Sequence, residues 1–266
     1  MECFKTMDAV ASIDKAIDVL FYLHGSSSDC GVTSIARGLE IPKSSVHRLL
    51  AALVRGGLVD RTQTGQYRPG VGLLALGLGV LDREPVVEAG HRVLEEFAQR
   101  WGETLFLVAA RGGDLRVLDK VEGQGFLRAA PRIGSSVPVH ATAVGKLYLA
   151  FSDESVAVAM ENGREAFTRA TLTESMALHR EIQEIRDLGV AWNREEWISG
   201  LFVVAAPIHG PGQMRAAVAM ALPASRLPEL GEELLATEIR LAAQQISERV
   251  SGVRRGSTAM EKHNDD

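Results

Sequence analysis

Between Val32 and Arg55, apolar and polar positions follow two short helical rhythms separated by a break. In the first, Ile35, Ala36 and Leu39 fall on one face of a helix about two turns long, which Gly38 and the stretch Glu40-Ile41-Pro42 bring to a stop. Proline lacks the N–H that is unpaired in a helix's first turn, so Pro42 can open the next helix as readily as it closes the last. There Val46, Leu49, Leu50 and Leu53 recur at i, i+3, i+4 and i+7, a core stripe. Lys43, Ser44, Ser45, His47 and Arg48 are left on the other side, crowded into the N-terminal half. Upstream, Ile13, Ala16, Ile17, Leu20, Phe21 and Leu23 predict a helix of about three turns with Ser12 as its N-cap and Gly25 as its stop. Downstream, residues 58–61, the turn 62–65 and residues 66–69 read as strand, Gly-containing turn and strand. Three helices followed by a hairpin make a winged helix.

The remainder predicts a linker and a second domain. An apolar, glycine-interrupted run from Val71 to Leu81 leads into a helical pattern from Pro85 to Trp101, with Val86, Val87, Val93, Leu94, Phe97, Ala98 and Trp101 apolar. Residues 73–102 are therefore expected to form a helical linker that offers a dimer surface, with Val93 and Phe97 in the contact. Residues 104–111 and 115–122 are strand candidates joined by Gly112-Gly113-Asp114, a hairpin signal. A Gly- and Pro-bearing stretch, residues 123–138, is expected to be mobile and to lead to residues 140–151, a loop entering a helix. Helices are expected at 152–162, 174–188 and 227–250, and strands at 189–193, 200–208 and 214–222. Hairpin pairing on both sides of the helices, without strict strand–helix alternation, predicts an α+β sensor domain. The expected organisation is a winged helix-turn-helix at 8–72, a linker at 73–102, a ligand-binding domain at 103–250 and a frayed polar tail at 251–266.

At 266 residues the chain is long enough for two domains that each bury a core, and 46% hydrophobic with 24% charged residues is ordinary for a soluble protein. The formal net charge of −5 hides an asymmetry. From Arg37 to Arg68 there are six Lys or Arg against Glu40 and Asp60, so basic charge gathers on the winged helix. Double-stranded DNA is the partner this predicts. The N-terminal half of the second helix would enter the major groove, with Thr33, Lys43, Ser44, Ser45, His47 and Arg48 as candidate contacts and Arg61 and Arg68 on the hairpin as phosphate contacts. His47 reads equally as a phosphate contact or a solvated face residue. Because one helix reads few base pairs, two copies are expected on half-sites of a near-palindrome.

With only Cys3 and Cys30 there is no disulfide framework and no Cys-based zinc site, which suits a reducing cytoplasm. The N-terminus has no signal-peptide core, and the longest apolar run falls short of the roughly 20 residues that span a bilayer. Neither membrane nor cofactor is expected. Enzymatic readings fare poorly. Gly145-Lys146 resembles the end of a phosphate loop, but His140 replaces the first glycine and Leu147 the final Ser or Thr. Gly77-Leu78-Gly79 lacks the third glycine and follows no strand. His140 lies near Ser135 and Ser136 without a nucleophile elbow or an orienting carboxylate; it reads as a histidine that caps the following helix or contacts ligand. Glu195 and Glu196 are adjacent and seldom would converge on one substrate. Trp192 and Trp197 pack against either pocket or core. The alternative to a DNA-binding regulator is a metabolite-binding module or enzyme whose N-terminal domain docks protein.

Four motifs in order carry a family resemblance: Ile35-Ala36-Arg37 with residues 41–50 (IPKSSVHRLL), residues 65–68 (GQYR), residues 138–146 (PVHATAVGK), and Gly200 with Ala205-Ala206-Pro207. Over residues 13–250 the chain resembles the IclR family of bacterial transcriptional regulators. The resemblance implies a winged helix-turn-helix, a linker helix and a GAF-like C-terminal effector-binding domain. It also implies homodimers or homotetramers on operator DNA, and a small-molecule effector that controls a metabolic or catabolic operon. Matched to the family's effector-contacting positions, Ala143, Val144, Asn193, Val203, Ala219 and Ala221 would line the pocket, with Arg128 and His140 from a neighbouring loop holding a polar end. Acid-binding members carry an acidic residue, a cysteine and two serines where this chain has Asn193, Val203, Ala219 and Ala221. This departure predicts an apolar or aromatic effector, since a site for a small carboxylate would not discard its donors. The same apolar residues would also fit core strands that face away from any cavity.

Overall fold

A computed structural model describes residues 3–81, 83–111, 113–125, 131–151 and 164–260. The chain divides into two compact units, Met1–Arg83 and Glu84–Asp266.

The first unit is the winged helix: α1 (Cys3–Gly25), α2 (Val32–Gly38), α3 (Lys43–Arg55), a hairpin of β1 (Val59–Arg61) and β2 (Tyr67–Pro69), and α4 (Val71–Leu81). Val19, Leu23, Ile35, Ala36, Ile41, Val46, Leu50, Leu53, Val59 and Tyr67 make its core. Between α2 and α3 the chain reverses through Glu40, whose φ of 54° is left-handed. Pro42 is the N-cap of α3 rather than part of its first turn, and its carbonyl accepts the amides of Ser45 and Val46. Gly38 does more than stop α2. A Cβ there would lie 2.3 Å from the Tyr22 ring of α1, so the close approach of the two helices requires glycine.

Helix α1 departs from expectation in two ways. It begins before Ser12, which is therefore interior rather than a cap. Its buried face is Val19 and Leu23, whereas Ile13, Ile17 and Phe21 are exposed. With apolar residues on several sides of the helix, periodicity could not choose the inward face; contact with α2 and α3 does. Helix α4 is apolar along its length yet buries no residue. An all-round apolar helix is normally covered.

The second unit contains α5 (Pro85–Trp101), β3 (Thr104–Arg111), β4 (Asp114–Val121), β5 (Ser136–Val137), α6 (Ala143–Phe151), α7 (Ser175–Leu188), β6 (Ala191–Arg194), β7 (Leu201–Gly210), β8 (Gln213–Pro223), a short 3-10 turn, α8 (Leu227–Leu230) and α9 (Glu232–Met260). Its six-stranded sheet has the order β5-β4-β3-β8-β7-β6 and is antiparallel throughout. Helices cover both faces. Leu105, Leu107, Val204, Ala206, Val218 and Met220 pack toward α5 and α9. Phe106, Val108, Val203, Ala205, Ala219 and Ala221 point to the opposite face, toward α6 and α7. Burial on both faces explains why residues 216–222 read as an unbroken apolar run without alternation.

The fold class is as expected, an N-terminal helix-turn-helix unit followed by an α+β unit, but several details differ. The presumed linker is two helices with different fates. Val93 and Phe97 of α5 are 0% and 4% exposed in the second unit's own core, so they cannot form a dimer contact. β5 falls in the stretch expected to be irregular; at two residues it is too short for periodicity to register. The last helix breaks at Gly231 and then runs to Met260, past the expected end at Val250. The helix expected at 152–162 lies outside the described residues.

Candidate nucleic-acid interface and ligand pocket

On α3 the core stripe turns Val46, Leu50 and Leu53 inward and leaves Lys43, Ser44, His47 and Arg48 exposed, with Ser45 half-buried at the helix start. Thr33 is exposed on the first turn of α2. Among the described residues no ion pair engages Lys43, His47, Arg48, Arg61 or Arg68. These groups stay available to an external anion. The hairpin register pairs Arg61 with Tyr67 and Asp60 with Arg68. Neighbouring pairs in a ladder face opposite ways, so the two arginines sit on opposite faces of the wing. The Arg61 guanidinium lies 5.8 Å from the centroid of the Tyr67 ring, which orients it.

In the second unit a cavity opens between the sheet and the first turn of α6. Phe106 and Val108 of β3, Val137 of β5, Leu201 and Val203 of β7, Ala143 and Val144 of α6, Asn193, Thr142, Pro131 and Trp197 line it. Its walls are apolar and its free volume is about 30 Å³, room for about two waters. The loop before α6 is pressed against the helix: a Cβ on Gly145 would lie 1.9 Å from the Val139 carbonyl oxygen, so only glycine permits this wall. Thr142 caps α6, its hydroxyl donating to the Pro138 carbonyl at 2.7 Å and accepting the Gly145 amide at 3.0 Å. Asn193 Nδ2 donates to the Ala141 carbonyl, and its Oδ1 accepts the Glu196 amide at 3.2 Å. Thr142 and Asn193 are therefore already bonded, while the lining residue Trp197 brings an indole N–H. The amides of Ala143 and Val144, ahead of the first intrahelical bond of α6, have no partner among the described residues.

Of the residues expected to line the pocket, Ala143, Val144, Asn193 and Val203 do so. Ala219 and Ala221 share its sheet face, registered beside Ala205 and Val203, but do not reach the cavity. His140 does not line it either, and the helix cap is Thr142. The His140 ring stacks on Phe167 at 5.7 Å and its Nε2 lies 2.9 Å from the Glu165 carbonyl oxygen. Arg128 lies outside the described residues. Trp197 lines the cavity, whereas Trp192 packs on the other face of the sheet beside Arg194. Glu195 and Glu196 diverge as expected, Glu195 accepting the Gly200 amide and Glu196 meeting Lys146. Sequence reasoning missed Phe106, Val108, Val137 and Leu201. β3 and β7 showed in the sequence and β5 did not, and the face each presents depends on which helix covers it.

A winged helix with unpaired cations on its recognition helix, in one chain with an α+β unit that encloses an apolar cavity, defines a DNA-binding protein with a ligand domain. The comparisons with known proteins agree in both halves. The IclR helix-turn-helix domain matches residues 12–63, and the bacterial transcriptional regulator IclR C-terminal domain matches residues 78–248. The probable transcriptional regulator SauR of Cupriavidus necator is 31% identical over 240 residues, covering 89% of this chain and 95% of that protein. The transcriptional repressor AllR of Escherichia coli is 27% identical over 82% of each chain. The crystal structure of the Thermotoga maritima IclR superposes with a TM-score of 0.76 at 28% identity, covering 91% of this chain and 99% of that one. The chain belongs to the IclR family of bacterial transcriptional regulators, with a helix-turn-helix for DNA and a C-terminal effector domain. Its relatives are regulators, not enzymes. No helix among the described residues is long and apolar enough to cross a membrane.

Proposed function

We propose that this regulator binds a near-palindromic operator as a homodimer, or a tetramer of two such dimers, and is controlled in the cytoplasm by an apolar or aromatic metabolite with one acidic or polar end. The observation that carries the effector reading is the cavity's division of labour. Its side chains supply mostly apolar surface, with Asn193 and Thr142 already bonded, which leaves the Trp197 indole N–H and the Ala143 and Val144 amides at the start of α6 to receive an anion or acceptor. A helix N-terminus favours negative charge, while apolar walls contribute about 25 cal/mol per Å² of ligand surface buried. A two-carbon acid would use the first term and little of the second. A ring would use both, but needs more than the present volume. Pro131 and Trp197, on connections between strands, are the walls that can yield without breaking a helix or a strand.

DNA reading is assigned to Thr33, Lys43, Ser44, Ser45, His47 and Arg48, with Arg61 and Arg68 as phosphate contacts from the wing. Two copies would meet through the uncovered apolar surface of α4, where Leu74 and Leu78 are exposed, in place of the buried Val93 and Phe97. Controlled genes are expected in catabolism or intermediary metabolism.

Two titrations test these assignments. Arg48→Ala should lose about 1 to 3 kcal/mol on the specific operator and relax base preference, with little change on scrambled duplex; an unchanged operator affinity removes Arg48 from the interface. Calorimetry of the full chain should show apolar acids such as benzoate binding more tightly than glyoxylate or pyruvate. Tighter binding of the small acids would overturn the pocket reading.

A further inference from the structure

Lys146 belongs to the Gly145-Lys146 pair that resembled a phosphate loop, and it has no part in the DNA or ligand contacts assigned above. It is 0% exposed. Its Nζ donates to Glu181 Oε1 of α7 at 2.5 Å and to both carboxylate oxygens of Glu196 at 2.7 and 2.9 Å. One ammonium thus faces two carboxylates, Glu196 buried and Glu181 at the edge of the fold.

The cluster adjoins the cavity on two walls. Lys146 follows Ala143 and Val144 on α6 by three and two residues. Glu196 lies between Arg194, whose amide its carboxylate accepts at 3.2 Å, and the lining residue Trp197; its own amide is bonded to the lining residue Asn193. On its other side the cluster meets an open hollow of about 510 Å³, lined in part by Arg180, Glu184 and Arg194. Arg194 is occupied there by Glu232. Water in the open hollow screens the cluster on that side, whereas the smaller cavity with its apolar walls screens it less.

We propose that the Lys146–Glu181–Glu196 cluster sets the charge preference of the effector pocket, opposing the anion affinity of the α6 N-terminus so that an acid is held only when it also buries apolar surface. This rests on the reading of the cavity as the effector site. It gives Glu196 and Lys146 a role in specificity without contact with the ligand: they act through the field at the pocket.

Matched acid and amide ligands isolate the effect, because each pair differs in charge and hardly in shape. Benzoate with benzamide, and hexanoate with hexanamide, are titrated calorimetrically into the full-length protein and its variants. Glu196→Gln removes the excess charge and should shift the acid-to-amide affinity ratio toward the acid by about fivefold. Glu181→Gln, at a side chain 21% exposed toward the hollow, should shift it in the same direction but less. The double variant Lys146→Met with Glu196→Gln again leaves one uncompensated carboxylate and should return the ratio close to wild type. A purely structural tie would weaken acid and amide alike in every variant, so an unmoved ratio overturns the proposal while leaving the pocket reading intact. Should Glu196→Gln fail to fold, the more exposed Glu181→Gln decides by the same ratio. If the wild type binds no member of either pair, the pocket reading itself fails and this inference with it.

Discussion

Helix α3 and the cavity beside α6 handle polar groups in opposite ways. On α3 the candidate contacts lie within one short segment, are mostly exposed, and make no ion pair among the described residues. Water satisfies such groups until DNA replaces it, so leaving them unpaired costs little. Around the cavity the polar side chains Thr142 and Asn193 are bonded to the backbone, because a buried polar group without a partner costs about 1 to 3 kcal/mol. The first site can discriminate by side-chain donors. The second is left with shape, apolar surface and few polar groups.

The sharpest way to break this contrast is to treat a buried position as a surface one. Val93→Asp should destabilise the second unit by about 4 kcal/mol, since it places an unpaired charge in the core, and should appear as loss of that unit's thermal transition. Leu74→Glu with Leu78→Glu on α4 should leave both units folded and convert the assembly to monomers in light scattering. An unaltered assembly that still binds operator would show that α4 is not the contact.

Gly145→Ala comes next in size. Its Cβ would meet backbone rather than a yielding side chain, so a loss of about 2 to 3 kcal/mol is expected in the second unit, with DNA binding by the winged helix retained. A smaller effect separates the two wing arginines. Each phosphate contact removed should lower the slope of log affinity against log salt by about one, on operator and scrambled duplex alike. Because Arg61 and Arg68 face opposite ways, measuring Arg61→Ala and Arg68→Ala separately shows which face of the wing meets the backbone.

The smallest effect concerns His91 of α5. Its Nδ1 lies 2.7 Å from Asp119 Oδ2, and that hydrogen bond, with the charges of Asp119 and Glu95, raises its pKa above 6.5 against the opposing effect of burial. A raised folded-state pKa adds stability that is complete below 6.5 and disappears as pH rises through the folded value. With the side chain 51% exposed, solvent screens the pair, and a change of about 1 °C in melting temperature is expected. His91→Gln should flatten that pH dependence; an identical profile in the variant would assign it to other groups.

Where the sequence was legible, the signal was local. Val46, Leu50 and Leu53 recur with the helical period, so the inward face of α3 and, by subtraction, its exposed polar side were readable from residues 43–55 alone. The wing was readable because its turn chemistry and flanking strands occupy a dozen consecutive residues. The longer strands of the second unit showed through their apolar runs and the Gly113 hairpin, whereas the two-residue β5 did not. Family resemblance, not periodicity, singled out Ala143, Val144, Asn193 and Val203, and the cavity gathers these four.

What only the tertiary structure decided is which apolar surfaces meet. In β3 and β8, residues alternate between two faces that are both buried, so hydropathy could not say that Phe106 looks into the cavity while Leu107 looks toward α5. Helices α4 and α5 are both rich in apolar residues, but the eight that α5 buries and the absence of any in α4 follow from which of them lies on the sheet. Lys146 is the extreme case: its sequence context excluded a phosphate loop but gave no partner, and the two carboxylates it meets lie 35 and 50 residues away. Helical and strand periods arise from bonds between neighbours in the chain and can be read from the chain. A cavity, a buried ion cluster and the covered face of a sheet are made by residues distant in sequence, and their contacts exist only once the chain has folded.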